Sequence, residues 1–424
     1  MDKSADWKVV ATKLDEGDVL RSFRNHFSIP ERNGEQRIYF LGNSLGLQPV
    51  SLRSHIDGIL DQWSKEGVES FFVGEKPWSG FHDNLLSSLA KITGALPNEI
   101  SIMNQLTVNI HLMLVSFYRP EGRRRKILME TKAFPSDQYA VRSYLEHLGL
   151  NPDEIILEIH SGSPLNAIET TDIIDAIQLQ ADELALVFLG GVNYYTGQVL
   201  DMNMIANAAK KAGCLIGFDL AHAVGNVALE LHDWQVDFAC WCSYKYLNGG
   251  PGTIGGVFVH EKHHGAEQKR LSGWWGNNAE TRFMMNKDFD PSPDASAWQL
   301  STPPILLLSA LKAALEIFDA AGWDRILNKQ AMMKQCMKEW IEGLSGQYFS
   351  CITPTARGCQ LSLLFPEKGR EVYDRLFADG FMIDWREPNV IRLAPVPLYN
   401  TFTEIWRFHD ALSKILVDVF HVQS

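Results

Sequence analysis

The sequence predicts an α/β protein whose larger part is a mostly parallel, doubly wound sheet. Three observations carry that expectation. Between about residues 95 and 260, short apolar runs alternate with amphipathic stretches rich in helix formers, the pattern of strands joined by crossover helices. Most of these runs stop at glycine or beside a chemically reactive residue. At 424 residues the chain can also bury a large core and divide into two domains.

Taken in order, Lys126 to Glu130 reads as a strand ahead of Phe134-Pro135-Ser136-Asp137. Leu184 to Leu189 is a buried-strand run ending at Gly190-Gly191. Met202 to Lys211 reads as a helix with Gly213 as its C-cap. Cys214 to Phe218 ends at Asp219, and Phe238 to Cys242 ends near Tyr244-Lys245. After a glycine-rich turn, Thr253 to Val259 gives a further strand. Pro303-Pro304 opens a long helix over Ile305 to Phe318. Beyond Ala320-Ala321-Gly322 come helices and shorter strands, among them Gln360 to Phe365 and Val390 to Leu393. The expected division is an N-terminal segment at 1–40 packing with the small domain, a large domain at 41–310 and a small α/β domain at 311–424.

Charge and cysteine content narrow the function. With 39 Lys and Arg against 51 Asp and Glu, the net charge is −12, the wrong sign for a phosphate-backbone ligand such as DNA or RNA. The single basic run, Arg123 to Lys126, reads as a solvated loop before a strand. Six cysteines in a chain of this length do not suggest a disulfide framework. The N-terminus has no apolar signal-peptide core, and no apolar stretch approaches the ~20 residues of a spanning helix, so a cytoplasmic protein without membrane contact is expected.

Ligands of open α/β sheets collect outside the carboxyl ends of the strands. Asp219 and Lys245 both fall there on this reading. A carboxylate and an amine so placed suit a pyridine cofactor, the acid pairing with the ring nitrogen and the lysine with the aldehyde. On spacing alone a structural acid and a structural lysine are the better reading. Thr107, near the start of an apolar helix, could offer N–H groups and a hydroxyl to an anion, or could be a plain helix cap. Phe134 could stack on a flat ring, or Phe134 to Asp137 could be a turn and cap.

Several longer strings resemble the kynureninase family, within the class V aminotransferases. They are Leu41-Gly42-Asn43-Ser44-Leu45-Gly46-Leu47, Phe134-Pro135-Ser136-Asp137, Gly217 to Asn226, Leu231-His232-Asp233-Trp234, Cys242 to Asn248, Trp274-Trp275-Gly276 and Arg392 to Asn400. They occur in the family's order from about residue 38 to 402. The resemblance implies fold type I, with a seven-stranded sheet in the large domain, pyridoxal 5′-phosphate as cofactor, and a homodimer with active sites at the subunit interface. It further implies hydrolysis of L-kynurenine to anthranilate and L-alanine, in tryptophan degradation or NAD biosynthesis.

Carried over position by position, the resemblance makes Lys245 the Schiff-base lysine, Asp219 the partner of the pyridine nitrogen and Phe134 the stacking ring. Leu106, Thr107, Tyr244 and Trp274 match phosphate-site positions, Trp274 from the partner subunit. Ser136, Asp137, Gly190, His222 and Thr302 match further cofactor positions. Arg392 matches the arginine that binds the substrate α-carboxylate, and Asn43, Ser44, Phe71 and Thr302 match substrate positions. Tyr244 also suits a proton donor. Three positions depart from the pattern. Animal relatives tend to carry His where Phe71 stands and Asn where Thr302 stands, and some relatives carry a hydroxyl residue where Gly190 stands. These less polar residues should favour kynurenine over 3-hydroxykynurenine.

Two motifs read as decoys. Gly250-Pro251-Gly252-Thr253-Ile254-Gly255 fits a dinucleotide glycine pattern but precedes a strand instead of opening a helix. His260-Glu261-Lys262-His263-His264 fits a zinc pattern but lies beyond a strand and meets Gly265, which suggests a surface turn. No metal site is expected. Among rivals, a cysteine desulfurase would need a mobile nucleophilic cysteine, whereas Cys214, Cys240 and Cys242 lie in apparent strands. An aminotransferase and a catalytically silent relative with the same fold are the others.

Overall fold

A computed structural model describes residues 3–74, 77–160, 167–265 and 267–421. The chain divides into two compact units. One comprises Ser54–Asn193 with Val199–Leu315, the other Met1–Arg53 with Tyr194–Gln198 and Glu316–Ser424.

The larger unit is built on a seven-stranded sheet. Its strands are β1 (Ile100–Ile102), β2 (Lys126–Glu130), β3 (Ile156–Ile159), β4 (Leu184–Gly190), β5 (Leu215–Asp219), β6 (Phe238–Trp241) and β7 (Gly256–Val259). The spatial order is β1-β7-β6-β5-β4-β2-β3. Pairing is parallel from β3 through β6, and β7 runs antiparallel to both β6 and β1. The runs are buried on both faces, which is why their sequences are continuously apolar instead of alternating. The helix Met202–Ala212 ends as expected at Gly213, in the left-handed conformation at φ 69°. Arg124, from the basic run, donates to the carbonyls of Ala212 and Gly213 there. An aromatic stack fills the space under the sheet: Phe117 lies 4.8 Å from Phe238, which lies 6.1 Å from Phe188. Each such ring contributes on the order of 1.5–3 kcal/mol by leaving water.

The reversal of β7 matters for chemistry. Antiparallel neighbours need no crossover helix, so residues 242–255 form a loop between β6 and β7, and Lys245 lies on that loop. The last strand begins at Gly256, three residues later than the sequence suggests. Before it, Thr253 donates its N–H to Gly250 and Gly255 donates to Asn104, closing a turn.

The smaller unit holds a four-stranded antiparallel sheet: β8 (Ser350–Cys351), β9 (Leu361–Leu364), β10 (Asp384–Arg386) and β11 (Val390–Leu393), in the order β8-β9-β11-β10. Ile38–Tyr39 pairs in parallel with Phe381–Met382, and Leu41 bridges Ala394, which ties the N-terminal segment to this unit. Asp15, in the helix Lys3–Glu16, accepts from the N–H groups of Phe402 and Thr403 at 2.7 and 2.9 Å and so caps the helix Phe402–His421.

Candidate active site

Three strand ends bring acids together. Asp219 closes β5 and lies directly opposite Gly190, the last residue of β4, while Glu130 closes β2. A side chain at Gly190 would place its Cβ 3.2 Å from Glu130 Oε1, so the glycine leaves room for that carboxyl group. Asp137, in the first turn of the helix Pro135–His147, hydrogen-bonds to Asp219. The Ala221 N–H donates to Asp219 Oδ1 at 2.7 Å. Above them Lys245 is buried at 9 % exposure, its Nζ 5.9 Å from the ring centroids of both Phe134 and Tyr244.

Two buried carboxyl groups beside one amine, with a third against Asp219, cannot all be ionised. Burial, then the neighbouring Asp219, pushes Glu130 up to about 8. Burial and Asp219 raise Asp137 well above the usual carboxylate range. Burial also raises Asp219, against the pull of the Ala221 N–H, Lys245 and the hydrogen bond from Asp137. Asp137 therefore carries the proton and donates, and Asp219 is the acid of the three best placed to hold a negative charge. A cationic ring nitrogen would oppose the rise of Asp219. Burial, followed by Cys242, raises the Tyr244 phenol, which keeps its proton available at neutral pH.

A planar cation fits this arrangement. Asp137 Oδ1 is buried with no hydrogen-bond partner among the described residues, an acceptor in need of a donor. Stacked rings lie ~4.5–7 Å apart, so a ring seated on Phe134 would be within reach of Lys245. An anion site is present as well. The helix Leu106–Phe117 starts at Gln105, whose side chain makes no capping bond, leaving the N–H groups of the first turn to an external acceptor. Thr107 lies inside that turn and is not its cap. The helix start is strapped to the turn beyond Lys245: Met103 donates to Gly255 at 3.1 Å and Gly255 to Asn104 at 2.6 Å.

Comparison with known proteins agrees with this chemistry. Residues 324–412 match the family model described as kynureninase C-terminal domain, and residues 158–364 match aminotransferase class-V. A kynureninase of Flavobacterium psychrophilum is 47% identical over 416 residues, covering 96% of this chain and 98% of the relative. The chain belongs to the kynureninase family. A second family member, from Xanthomonas oryzae pv. oryzae, is 45% identical over 404 residues, 94% of this chain and 96% of the relative. Among solved structures, the cysteine desulfurase CsdA of Escherichia coli superposes with a TM-score of 0.75 at 15% identity, covering 94% of this chain and 98% of that one. A cysteine desulfurase of Thermococcus onnurineus NA1 gives 0.72 at 16% identity, covering 90% and 95%. The chain thus has the expected fold type I architecture, and its cofactor is pyridoxal 5′-phosphate.

The other expected positions divide between the units of this kynureninase-family chain. Phe71 lies half-buried and edge-on to Trp78 at 5.3 Å, lining an open apolar hollow of about 600 Å³ with Ile59, Trp63 and Leu307. Thr302 directly precedes the Pro303-Pro304 pair and is half-buried. His222 is buried, and its carbonyl accepts from Asn226 at 2.8 Å. Ser136 is half-buried beside Asp137 in the helix Pro135–His147, and Trp274 is exposed, its Nε1 donating to Arg282. In the smaller unit, Asn43 donates to Gln360, and Gln360 and Arg392 both donate to the Tyr194 carbonyl. Ser44 stays half-buried, its N–H bonded to Leu41.

Sequence reasoning overlooked Glu130, Gln360 and Asp384. Glu130 was visible as a carboxylate ending an apolar strand. The zinc-like run also needs correction, because His260 is buried instead of lying on a surface turn. Glu99 Oε1 accepts from His232 at 3.0 Å and from the Glu261 N–H at 2.9 Å, with the His260 and His232 rings stacked 5.0 Å apart. Lys262 and His263 bind Asp237 at 2.8 and 2.7 Å. Glu99, His232 and His260 offer a metal-like donor set; these hydrogen bonds engage Glu99 and His232, whereas His260 Nε2 is buried with no hydrogen-bond partner among the described residues.

Glu130 yields a pH prediction. Its folded value lies above the ~4.3 of an unfolded glutamate, so folding favours the protonated acid. That contribution is intact below about pH 4 and is lost as the pH rises through about 8. Glu130→Gln should therefore raise the Tm of the cofactor-free protein above that of the wild type at about pH 9. The gain should shrink steadily toward about pH 4. A difference independent of pH would refute a proton on Glu130.

Proposed function

We propose that the chain hydrolyses L-kynurenine to anthranilate and L-alanine. The observation that carries this reading is near-full-length similarity to kynureninases in a chain whose Lys245 and Asp219 flank a site for one planar ring. When bound, pyridoxal 5′-phosphate supplies an electron sink for charge at the substrate α-carbon. Lys245 removes the α-proton and returns it. Asp219 holds a negative charge at the ring nitrogen, and the neutral Asp137 keeps it oriented. Tyr244 delivers a proton. Arg392 fixes the substrate α-carboxylate through its guanidinium fork, with Asn43 and Ser44 beside it. Leu106, Thr107, Tyr244 and Trp274 receive the cofactor phosphate. Water adds to the aryl ketone and the Cβ–Cγ bond breaks, so the aryl acid leaves as anthranilate and the three-carbon fragment as alanine.

Two features extend the reading. Trp274, Phe283, Met284, Met285 and Phe72 are exposed apolar side chains, with Phe283 5.5 Å from both Trp274 and Phe72. A patch of this kind supports a homodimer in which Trp274 serves the partner's site. All six cysteines are free, and among the described residues no helix is long and apolar enough to cross a membrane, in keeping with a cytoplasmic enzyme. A desulfurase reading gains nothing from the thiols: five are buried, and burial raises Cys214 and Cys351 to about 11 and Cys336 and Cys359 to about 12.

Purified protein with cofactor and L-kynurenine should develop anthranilate fluorescence, whereas cysteine and keto acids should give no turnover. The apolar setting of Phe71 predicts a lower kcat/KM for 3-hydroxykynurenine than for kynurenine, by roughly the 10–200-fold range a single pocket contact provides. A higher value for the hydroxylated substrate would overturn that preference.

A further inference from the structure

Arg392 is 1 % exposed and lies in β11, with Asp384 directly opposite in β10 and Ser362 directly opposite in β9. Opposed residues in antiparallel strands hold their Cβ atoms ~4.5–5.5 Å apart, close enough for a short carboxylate to reach a folded-back guanidinium. Asp384 Oδ2 accepts from Arg392 Nε at 2.6 Å and from Nη2 as well, so one oxygen grips the edge defined by those two nitrogens. Nη1 donates to the Tyr194 carbonyl. That carbonyl is itself fixed: Gln360 Nε2 donates to it at 3.0 Å, and Ser362 Oγ donates to the next carbonyl, Tyr195, at 2.7 Å. Asp384 keeps a side-chain exposure of 20 %, and Arg386 approaches the same Oδ2 at 3.4 Å.

We infer that Asp384 is a positioning residue for substrate recognition, holding the Arg392 fork in the orientation that receives an α-carboxylate. The inference rests on the proposed role of Arg392. An arginine side chain has substantial rotamer entropy to lose, and a ligand meeting an unfixed guanidinium must bear that loss on binding. Asp384 removes that cost beforehand through the Nε–Nη2 edge. The contact is a charge-assisted bond from a cross-strand neighbour that the β10–β11 register fixes.

The test uses holoenzyme and two probes that differ by one group: L-alanine, which carries the α-carboxylate, and ethylamine, which lacks it. Binding is read from the change in cofactor absorbance. In Asp384→Ala the Kd for L-alanine should rise at least about tenfold while that for ethylamine moves by less than about twofold. For kynurenine, KM should rise and kcat should stay within about threefold. Asp384→Asn, whose amide oxygen still accepts from Nε, should recover most of the lost L-alanine binding. Removing the counter-charge of a buried arginine can prevent folding, so Asp384→Glu decides in that event. It keeps the charge but displaces the carboxylate by a methylene, and should raise the L-alanine Kd about fivefold or more.

Unchanged L-alanine binding in the Ala or Glu variant overturns the inference, as does an equal loss for ethylamine. Arg392→Gln separates this failure from that of the underlying reading. If it leaves L-alanine binding intact, the role of Arg392 itself is wrong. If it weakens L-alanine binding while the Asp384 variants do not, only the positioning role falls.

Discussion

Lys245→Ala should reduce turnover of L-kynurenine by at least about 10⁴-fold, because on the proposed roles the reaction loses the group that both holds the cofactor and moves the α-proton; enzymes of this kind supply ~10⁶ or more over water. Lys245 is the amine over Phe134 and Tyr244, and the electrostatics of Asp219 and Asp137 both register it. Among the described residues no other amine lies over these rings. The cofactor absorbance near ~420 nm, removed by borohydride in the wild type, should be absent from the variant. Fold should survive, since the loop is held by main-chain bonds: Asn248 donates to the Lys245 carbonyl at 3.0 Å and Gly249 to Ser243 at 2.8 Å. Retained turnover above about one per cent would exclude Lys245 as the reacting amine.

Asp219→Asn should be nearly as damaging. It keeps the shape and leaves the hydrogen bond from the Ala221 N–H available, but it removes the charge that faces the ring nitrogen. Breaking a buried charge pair costs about 3–5 kcal/mol, corresponding to about 10²–10⁴ in kcat. Asp137→Asn should do less, because Asp137 is a neutral donor and an amide also donates. Reversal of that order would assign the charged role to Asp137. Measuring kcat for both variants at saturating cofactor decides between them.

Asp219 and Lys245 stood out because each follows an apolar run: Leu215–Phe218 reads as a buried strand ending at Asp219 and Phe238–Trp241 as one ending near Lys245, although spacing alone left a structural acid and a structural lysine open. Glu130 was equally accessible by that logic, yet it was passed over because acids commonly terminate strands and nothing local marks this one as buried. Asp384 and Gln360 could not be read at all. Their meaning depends on register, Asp384 opposite Arg392, and on a carbonyl nearly two hundred residues away at Tyr194. His260 misled for the same reason, since the partner that buries it, Glu99, is distant in sequence. The boundary of β7 was placed early because Thr253 and Ile254 are good strand residues, whereas the hydrogen bonds at Gly255 belong to a turn.

The capping of Phe402 and Thr403 by Asp15 has a consequence for biosynthesis. A ribosome makes Asp15 387 residues before Phe402, whose N–H it accepts. That side chain must therefore wait, unemployed, while the residues between them emerge. The strip Tyr194–Gln198 waits as well, since Gln360, Ser362 and Arg392 arrive later to bind its carbonyls. The smaller unit cannot close before these residues are made, whereas a nascent chain stalled before residue 400 would already hold all seven strands of the larger unit's sheet.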